Sequence, residues 1–64
     1  MKEIILRLLT YQMLENELQH LVTIKCLSLN ITFDVDLFIT TLEEMKEDNL
    51  IEIDYFDRNI ISKL

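Results

Sequence analysis

Asp34–Leu64 reads DVDLFITTLEEMKEDNLIEIDYFDRNIISKL, and this stretch decides the fold. In its first half, large apolar side chains recur at the spacing of one helix face: Val35, Phe38, Ile39, Leu42 and Met45. Asp34 offers a side-chain cap, with Thr32 as the alternative, and acids in the first turn suit the helix dipole. Asn49 can adopt the left-handed conformation that ends a helix. The pattern therefore predicts a helix over 34–48.

The second half of the same stretch predicts a β-hairpin over residues 50–64. Apolar and polar residues alternate along its first part, which is the pattern of a half-buried strand. The run Asp57–Asn59 consists of turn formers, and residues 60–64 supply a return strand that begins with two β-branched residues. We expect Tyr55 and Phe56 on opposite faces of the first strand, with Phe56 exposed.

Two more helices are predicted upstream, because residues 3–9 and 14–25 both carry apolar residues at helical spacing. Two interpretations fit this spacing: one long helix over 3–25, or two helices with a bend near 10–13. The chain contains no glycine and no proline, so neither residue marks the break.

Residues 27–37 fit two structures. Apolar and polar residues alternate strictly there, which alone indicates a half-buried strand. Ile24, Leu27 and Ile31 also fit a helix stripe. We favour a helix that ends near residue 28 and a short extended piece before the next helix, and a strand over 27–34 is the alternative.

The acidic residues concentrate on the predicted third helix. Between Asp34 and Asp48 stand six carboxylates against one base, Lys46: Asp34, Asp36, Glu43, Glu44, Glu47 and Asp48. Residues 1–26 hold three acids and three bases, whereas residues 27–64 hold nine acids and three bases. A helix of this charge repels phosphate, so its expected counterpart is a protein rather than DNA.

The run Leu42–Ile51, followed by Glu52-Ile53-Asp54 and Asp57-Arg58, resembles the passage from the third helix into the wing in the winged helix-turn-helix superfamily. Asn49 stands where that family usually has glycine. Glu15-Asn16-Glu17-Leu18 resembles the start of its second helix. The resemblance implies a mainly α fold with a C-terminal β-hairpin, a small winged-helix-like domain of three helices plus a wing, over 1–64.

The chain departs from that family in two ways. The gap between Leu18 and Leu42 is longer than the family commonly shows. The third helix also lacks the Lys, Arg, Asn and Gln residues that such proteins direct at bases and phosphates. The DNA-binding residues of the family therefore have no matching position here except Arg58, at the wing tip.

Composition bounds the class of protein. A chain of 64 residues is one small domain, and half of its residues are hydrophobic, with 21 Ile and Leu among them. So many large aliphatic residues exceed what a small interior holds, so we expect a dimer or a protein complex. The longest uncharged run, Cys26–Phe33, is too short to cross a membrane. A single cysteine and no signal-peptide pattern suit a cytoplasmic protein.

No pattern of catalytic or metal-binding residues stands out. His20 lacks a nucleophile or an acid partner other than Glu17, so we expect it on the solvated surface. Cys26 is expected in the core. The third-helix acids lie on a rigid helix without the glycine that a calcium loop requires. We expect no enzyme activity, no catalytic residue, no cofactor and no metal.

The sequence thus predicts a small non-enzymatic regulatory protein. Its expected partner is either another protein, from the transcription or replication machinery, or a second copy of the same chain. The predicted partner-binding residues lie on the acidic third helix and the wing: Glu43, Glu44, Glu47, Asp48, Phe56 and Arg58. The alternative is a dimeric winged-helix DNA-binding transcriptional regulator, so nucleic acid is a possible ligand but is disfavoured by charge. No membrane association is expected.

Overall fold

The computed structural model describes all 64 residues, Met1–Leu64. The helices and strands follow one another along the chain in the order α1 (Lys2–Leu8), β1 (Gln12–Leu14), α2 (Glu15–Ser28), α3 (Val35–Glu47), β2 (Ile51–Asp54) and β3 (Asn59–Ser62). The three strands form one antiparallel sheet in the order β1-β3-β2. Helices hold 53% of the residues, so the predicted three helices and C-terminal hairpin are confirmed. This layout is compatible with a winged helix.

Helix α3 begins and ends as local chemistry requires. The Asp34 side chain caps it, with Oδ1 accepting hydrogen bonds from the main-chain N–H groups of Asp36 (2.9 Å) and Leu37 (3.2 Å). Of the two candidate caps, Asp34 is therefore the one used. Asn49 ends the helix with a φ of 61°. The Leu50 N–H then reaches the carbonyl of Met45, at 3.0 Å, the closure typical of a helix followed by a left-handed residue.

Helix α2 ends in the same way and continues to Ser28. Asn30 has a φ of 57°, and the Ile31 N–H donates to the Cys26 carbonyl at 2.8 Å. The alternative of a strand over 27–34 is therefore wrong. The alternation of apolar and polar residues does not reflect burial, because Leu27 and its apolar successors in this run are mostly exposed. In a chain without glycine, asparagine takes the left-handed position at the C-terminal ends of both α2 and α3.

The region between the first two helices differs from the prediction. Helix α1 ends at Leu8, and Gln12–Leu14 form a strand instead of a bend or a continuous helix. This strand pairs antiparallel with β3, with Met13 opposite Ile60. The interpretation of one helix over 3–25 is wrong. The sheet has three strands rather than two, because β1 covers an edge of β3 that a lone hairpin would leave unpaired.

The helices and the hairpin enclose one hydrophobic core. Ten buried side chains form it, nine from the three helices, β2 and β3, and one, Leu9, from the residue that follows α1: Ile5, Leu9, Leu18, Val22, Cys26, Phe38, Leu42, Met45, Ile51 and Ile60. Phe38 and Cys26 are fully buried, as predicted. Because α3 packs through Phe38, Leu42 and Met45, its opposite face is turned outward.

Candidate protein-interaction surface

The outward face of α3 forms an open acidic depression of about 410 Å³. Its lining contains no hydrophobic side chain and consists of Thr40, Glu43, Glu44, Glu47 and Asp48. We call these five residues the acidic face. All four carboxylates are solvent-exposed, because the helix repeat places them away from the buried stripe. The structure thus brings together the four acidic residues that the sequence predicted as a group.

The four carboxylates differ in their contacts. Both oxygens of Glu43 lie 2.9 Å from the Tyr55 hydroxyl, which donates to them. Asp48 lies 3.8 Å from the ammonium of Lys2. Glu44 and Glu47 make no side-chain hydrogen bond and no ion pair within the chain. Two exposed negative charges on this face are therefore free to meet an external partner.

Tyr55 connects the acidic face to the loop Tyr55–Arg58, which joins β2 to β3 and which we call the wing loop. The Lys46 ammonium lies 5.0 Å from the centre of the Tyr55 ring, and the Arg58 guanidinium lies 5.5 Å from it. Cations at such distances are attracted to the face of an aromatic ring. Together with the Glu43 hydrogen bond, these contacts attach the wing loop to α3.

The same contacts raise the pKa of Lys46 above its ordinary value of 10.5. The main cause is polar contact with Tyr55, followed by the charge of its phenolate and by Glu43 and Glu47. Lys46 therefore keeps its charge to a higher pH than an unperturbed lysine does. Its ammonium is directed to the tyrosine rather than paired with Glu44.

Arg58 lies against the start of α2. Its guanidinium donates to Glu15 Oε1 at 2.6 Å, and its carbonyl accepts from the Glu15 main-chain N–H at 2.8 Å. This hydrogen bond is the main cause of a raised pKa at Arg58. The Glu15 side chain is only 14% exposed. The base predicted at the wing tip is thus engaged within the fold.

Phe56 stands at the tip of the wing loop with 93% of its surface exposed. The sequence predicted that Tyr55 and Phe56 lie on opposite faces of the first strand, and this is wrong: β2 ends at Asp54, so both residues belong to the turn. Asp54 Oδ1 shapes this turn by accepting from the N–H groups of Phe56 (3.0 Å) and Asp57 (3.2 Å). Phe56 is therefore exposed because it is at a loop tip.

The remaining singled-out residues take no part in this surface. His20 is exposed and makes no side-chain hydrogen bond or ion pair. Cys26 is a free, buried thiol. No three His, Cys, Asp or Glu side chains come close enough together to hold a metal ion.

Tyr55 and Glu15 are the residues of this region that sequence reasoning missed. Tyr55 was assigned to the buried side of a strand, yet it is half-exposed and bonded to α3. Glu15 is 43 residues from its partner Arg58, so no local spacing signals their contact. The only signal in the sequence was the uneven distribution of charge between residues 1–26 and residues 27–64, and this signal does not show which side chains contact each other.

The chain matches no model of a known protein family, and no curated protein or solved structure is significantly similar to it. None of its helices combines the length and the apolar character that crossing a membrane requires.

Proposed function

We propose that this chain is a small non-enzymatic interaction protein of winged-helix architecture that binds a basic surface of another protein through the acidic face of α3. The observation that carries the proposal is the pair Glu44 and Glu47, two exposed carboxylates without an ion pair inside the chain. A partner that offers Lys or Arg side chains supplies the missing countercharges.

The wing loop adds an apolar element beside this charge. Tyr55 ties the loop to Glu43, and the next residue, Phe56, is almost fully exposed. Large aromatic side chains are common anchors at protein interfaces. The proposed contact therefore combines the acidic face, which attracts and orients the partner, with Phe56, which buries apolar surface against it.

A duplex DNA is the other ligand that such a scaffold suggests, as in a dimeric transcriptional regulator. Charge argues against it, because the exposed face of α3 repels phosphate. Arg58, the one base of the wing loop, already pairs with Glu15, so a DNA phosphate would have to compete with that carboxylate for it. The proposed partner is therefore a protein, such as a component of the transcription or replication machinery, and not a nucleic acid.

The proposal is tested with the tagged chain and the double variant Glu44→Gln/Glu47→Gln, both used to capture proteins from a cell lysate. Glu43 is left intact, because its replacement would also remove the acceptor of the Tyr55 hydroxyl. The matched control is Glu3→Gln/Glu17→Gln, which changes the net charge equally at exposed positions outside α3 that also have no ion pair. A partner lost by the first variant and kept by the control supports the acidic face.

The affinity of the purified partner is then measured over a range of salt concentrations. We expect it to fall steeply as salt rises, because exposed charges are screened. Equal capture by wild type and the Glu44→Gln/Glu47→Gln variant would contradict the proposal, and so would an affinity that does not depend on salt. Tight binding of duplex oligonucleotides at physiological ionic strength in a mobility-shift assay would favour the DNA regulator instead.

A further inference from the structure

Helices α1 and α2 form an open groove of about 380 Å³ that shares no residue with the acidic face of α3. Three of its lining residues are apolar, and the other three are charged: Ile4, Leu8 and Leu29, and Glu3, Arg7 and Lys25. The four that belong to α1 stand at positions 3, 4, 7 and 8, which is the spacing of one helix face. The groove thus combines an apolar part with two bases and one acid, and the proposed function uses none of these residues.

The two bases of this groove are the only ones in the chain whose charge has no partner within it. Four of the six bases are engaged, three in ion pairs and one over an aromatic ring: Lys2 with Asp48, Arg58 with Glu15, Lys63 with Glu52, and Lys46 with Tyr55. Arg7 forms no ion pair, although Glu3 stands four residues before it, at a spacing that permits one. Lys25 forms none either. Both cations that lack a countercharge therefore line the same groove.

We infer that the groove between α1 and α2 binds a segment of a partner protein in which a large apolar side chain is flanked by carboxylates. The apolar lining buries the apolar side chain, and Arg7 and Lys25 pair with the carboxylates. A basic segment meets two like charges and only one opposite charge, so charge selects the acidic one. In a chain whose net charge is −6, this groove is the surface that suits an acidic partner.

The shape of the groove favours a protein segment over a small molecule. None of its six lining residues is buried. A small-molecule site encloses most of the surface of its ligand, which so open a groove does not do. Each helix contributes about one turn, because Ile4 and Leu8, like Lys25 and Leu29, are four residues apart, or about 6 Å along a helix axis. The groove therefore receives one or two side chains, and we expect weak binding in rapid exchange.

The test is an NMR titration of the isotope-labelled chain with three acetylated and amidated peptides. The first contains two leucines flanked by glutamates on an alanine background, and the other two carry glutamine or lysine in place of every glutamate. We expect the methyl signals of Ile4, Leu8 and Leu29 to shift and saturate with the glutamate peptide at the lowest concentration, and with the lysine peptide at the highest. Equal response to the glutamate and lysine peptides would overturn the inference. So would the absence of any shift with the glutamate peptide at millimolar concentration.

Variants of the two bases test the charge pairing. Arg7→Gln/Lys25→Gln should weaken binding of the glutamate peptide about fivefold, because two exposed charge pairs are lost. Lys2→Gln/Lys63→Gln is the matched control, since it changes the net charge equally at exposed positions outside the groove. It should bind nearly as wild type does, and so should Arg7→Lys/Lys25→Arg, which keeps both charges. An equal loss in the first variant and the matched control would overturn the inference, because net charge alone would then attract the peptide.

Two further titrations test other occupants of the groove. Decanoate that saturates the same methyl signals while the glutamate peptide does not would assign the groove to a small amphiphile. Shifts of these signals that depend on the concentration of the chain alone would assign it to a second copy. Either result would overturn the inference. Glu44→Gln/Glu47→Gln should bind the glutamate peptide at least as tightly as wild type does, so failure here is distinct from failure of the proposed partner binding.

Discussion

Glu15 and Arg58 are joined twice, once through their side chains at 2.6 Å and once from the Glu15 N–H to the Arg58 carbonyl at 2.8 Å. Arg58 does this in the left-handed conformation, with a φ of 56°. A residue with a Cβ is strained in that conformation. The double contact thus fixes the wing loop to α2 and compensates for backbone strain at the end of the turn.

This relationship predicts an order of stability among variants. Arg58→Ala loses the ion pair and keeps the strain, whereas Arg58→Gly loses the ion pair and relieves the strain. We expect Arg58→Ala to be the least stable of wild type and the two variants, as measured by urea unfolding. Equal unfolding midpoints for Arg58→Ala and Arg58→Gly would show that the backbone at this position is not strained.

Asn49 permits a cleaner test of the left-handed helix end. Asn49→Gly should leave the stability unchanged or raise it slightly, because glycine adopts this conformation without a steric cost. Asn49→Ala should lower the free energy of unfolding by about 1 kcal/mol. Thermal and urea unfolding measure both changes. A tolerated alanine would contradict the role assigned to Asn49.

The N-terminal cap of α3 is expected to contribute to stability. Asp34→Ala removes the acceptor for two main-chain N–H groups and should cost about 1 kcal/mol. Asp34→Ser keeps a capping oxygen and should lose much less. Urea unfolding of the two variants separates the cap from other effects of residue 34, because two equally destabilised variants would exclude it.

Tyr55→Phe should lower the pKa of Lys46 toward 10.5, because it removes the phenol that is the main cause of the raised value. In wild type, Lys46 has a higher pKa when folded than when unfolded. Its contribution to stability is therefore complete below about pH 10.5 and is lost as pH rises through the folded pKa. NMR titration of the lysine side chains measures the shift. An unchanged Lys46 titration in Tyr55→Phe would assign the effect to the carboxylates alone.

Phe56→Ala should leave the stability unchanged, because the ring is 93% exposed and buries almost nothing in the isolated chain. We expect the same variant to weaken binding of the captured partner, since aromatic anchors contribute much of the energy at protein interfaces. Unfolding and partner affinity are measured on the same preparation. If neither partner affinity nor oligomeric state changes, the wing is not the contact.

Local chemistry explains which elements the sequence predicted. Helix α3 has a cap, a regular apolar stripe and an asparagine stop, and all three signals lie within the segment itself. Strand β1 has none of these. Its three residues become a strand only because Met13 meets Ile60, and such a distant pairing leaves no periodic trace.

The same distinction between local and long-range signals applies to the candidate surface. Helical spacing alone predicts that Glu44 and Glu47 face outward, opposite the stripe that packs in the core. It does not predict that Glu43 accepts from Tyr55, or that Arg58 turns back to Glu15. Those contacts depend on how the hairpin docks, and this is set by the whole fold.

The strand order β1-β3-β2 places the last strand of the chain in the middle of the sheet. Strands β1 and β2 both pair with residues 59–62, and they do not pair with each other. During synthesis, neither β1 nor β2 has a strand to pair with until residues 59–62 leave the ribosome. Cleavage within residues 59–62 would therefore abolish two ladders at once, and it would free the tyrosine and the arginine that the hairpin delivers to the helices.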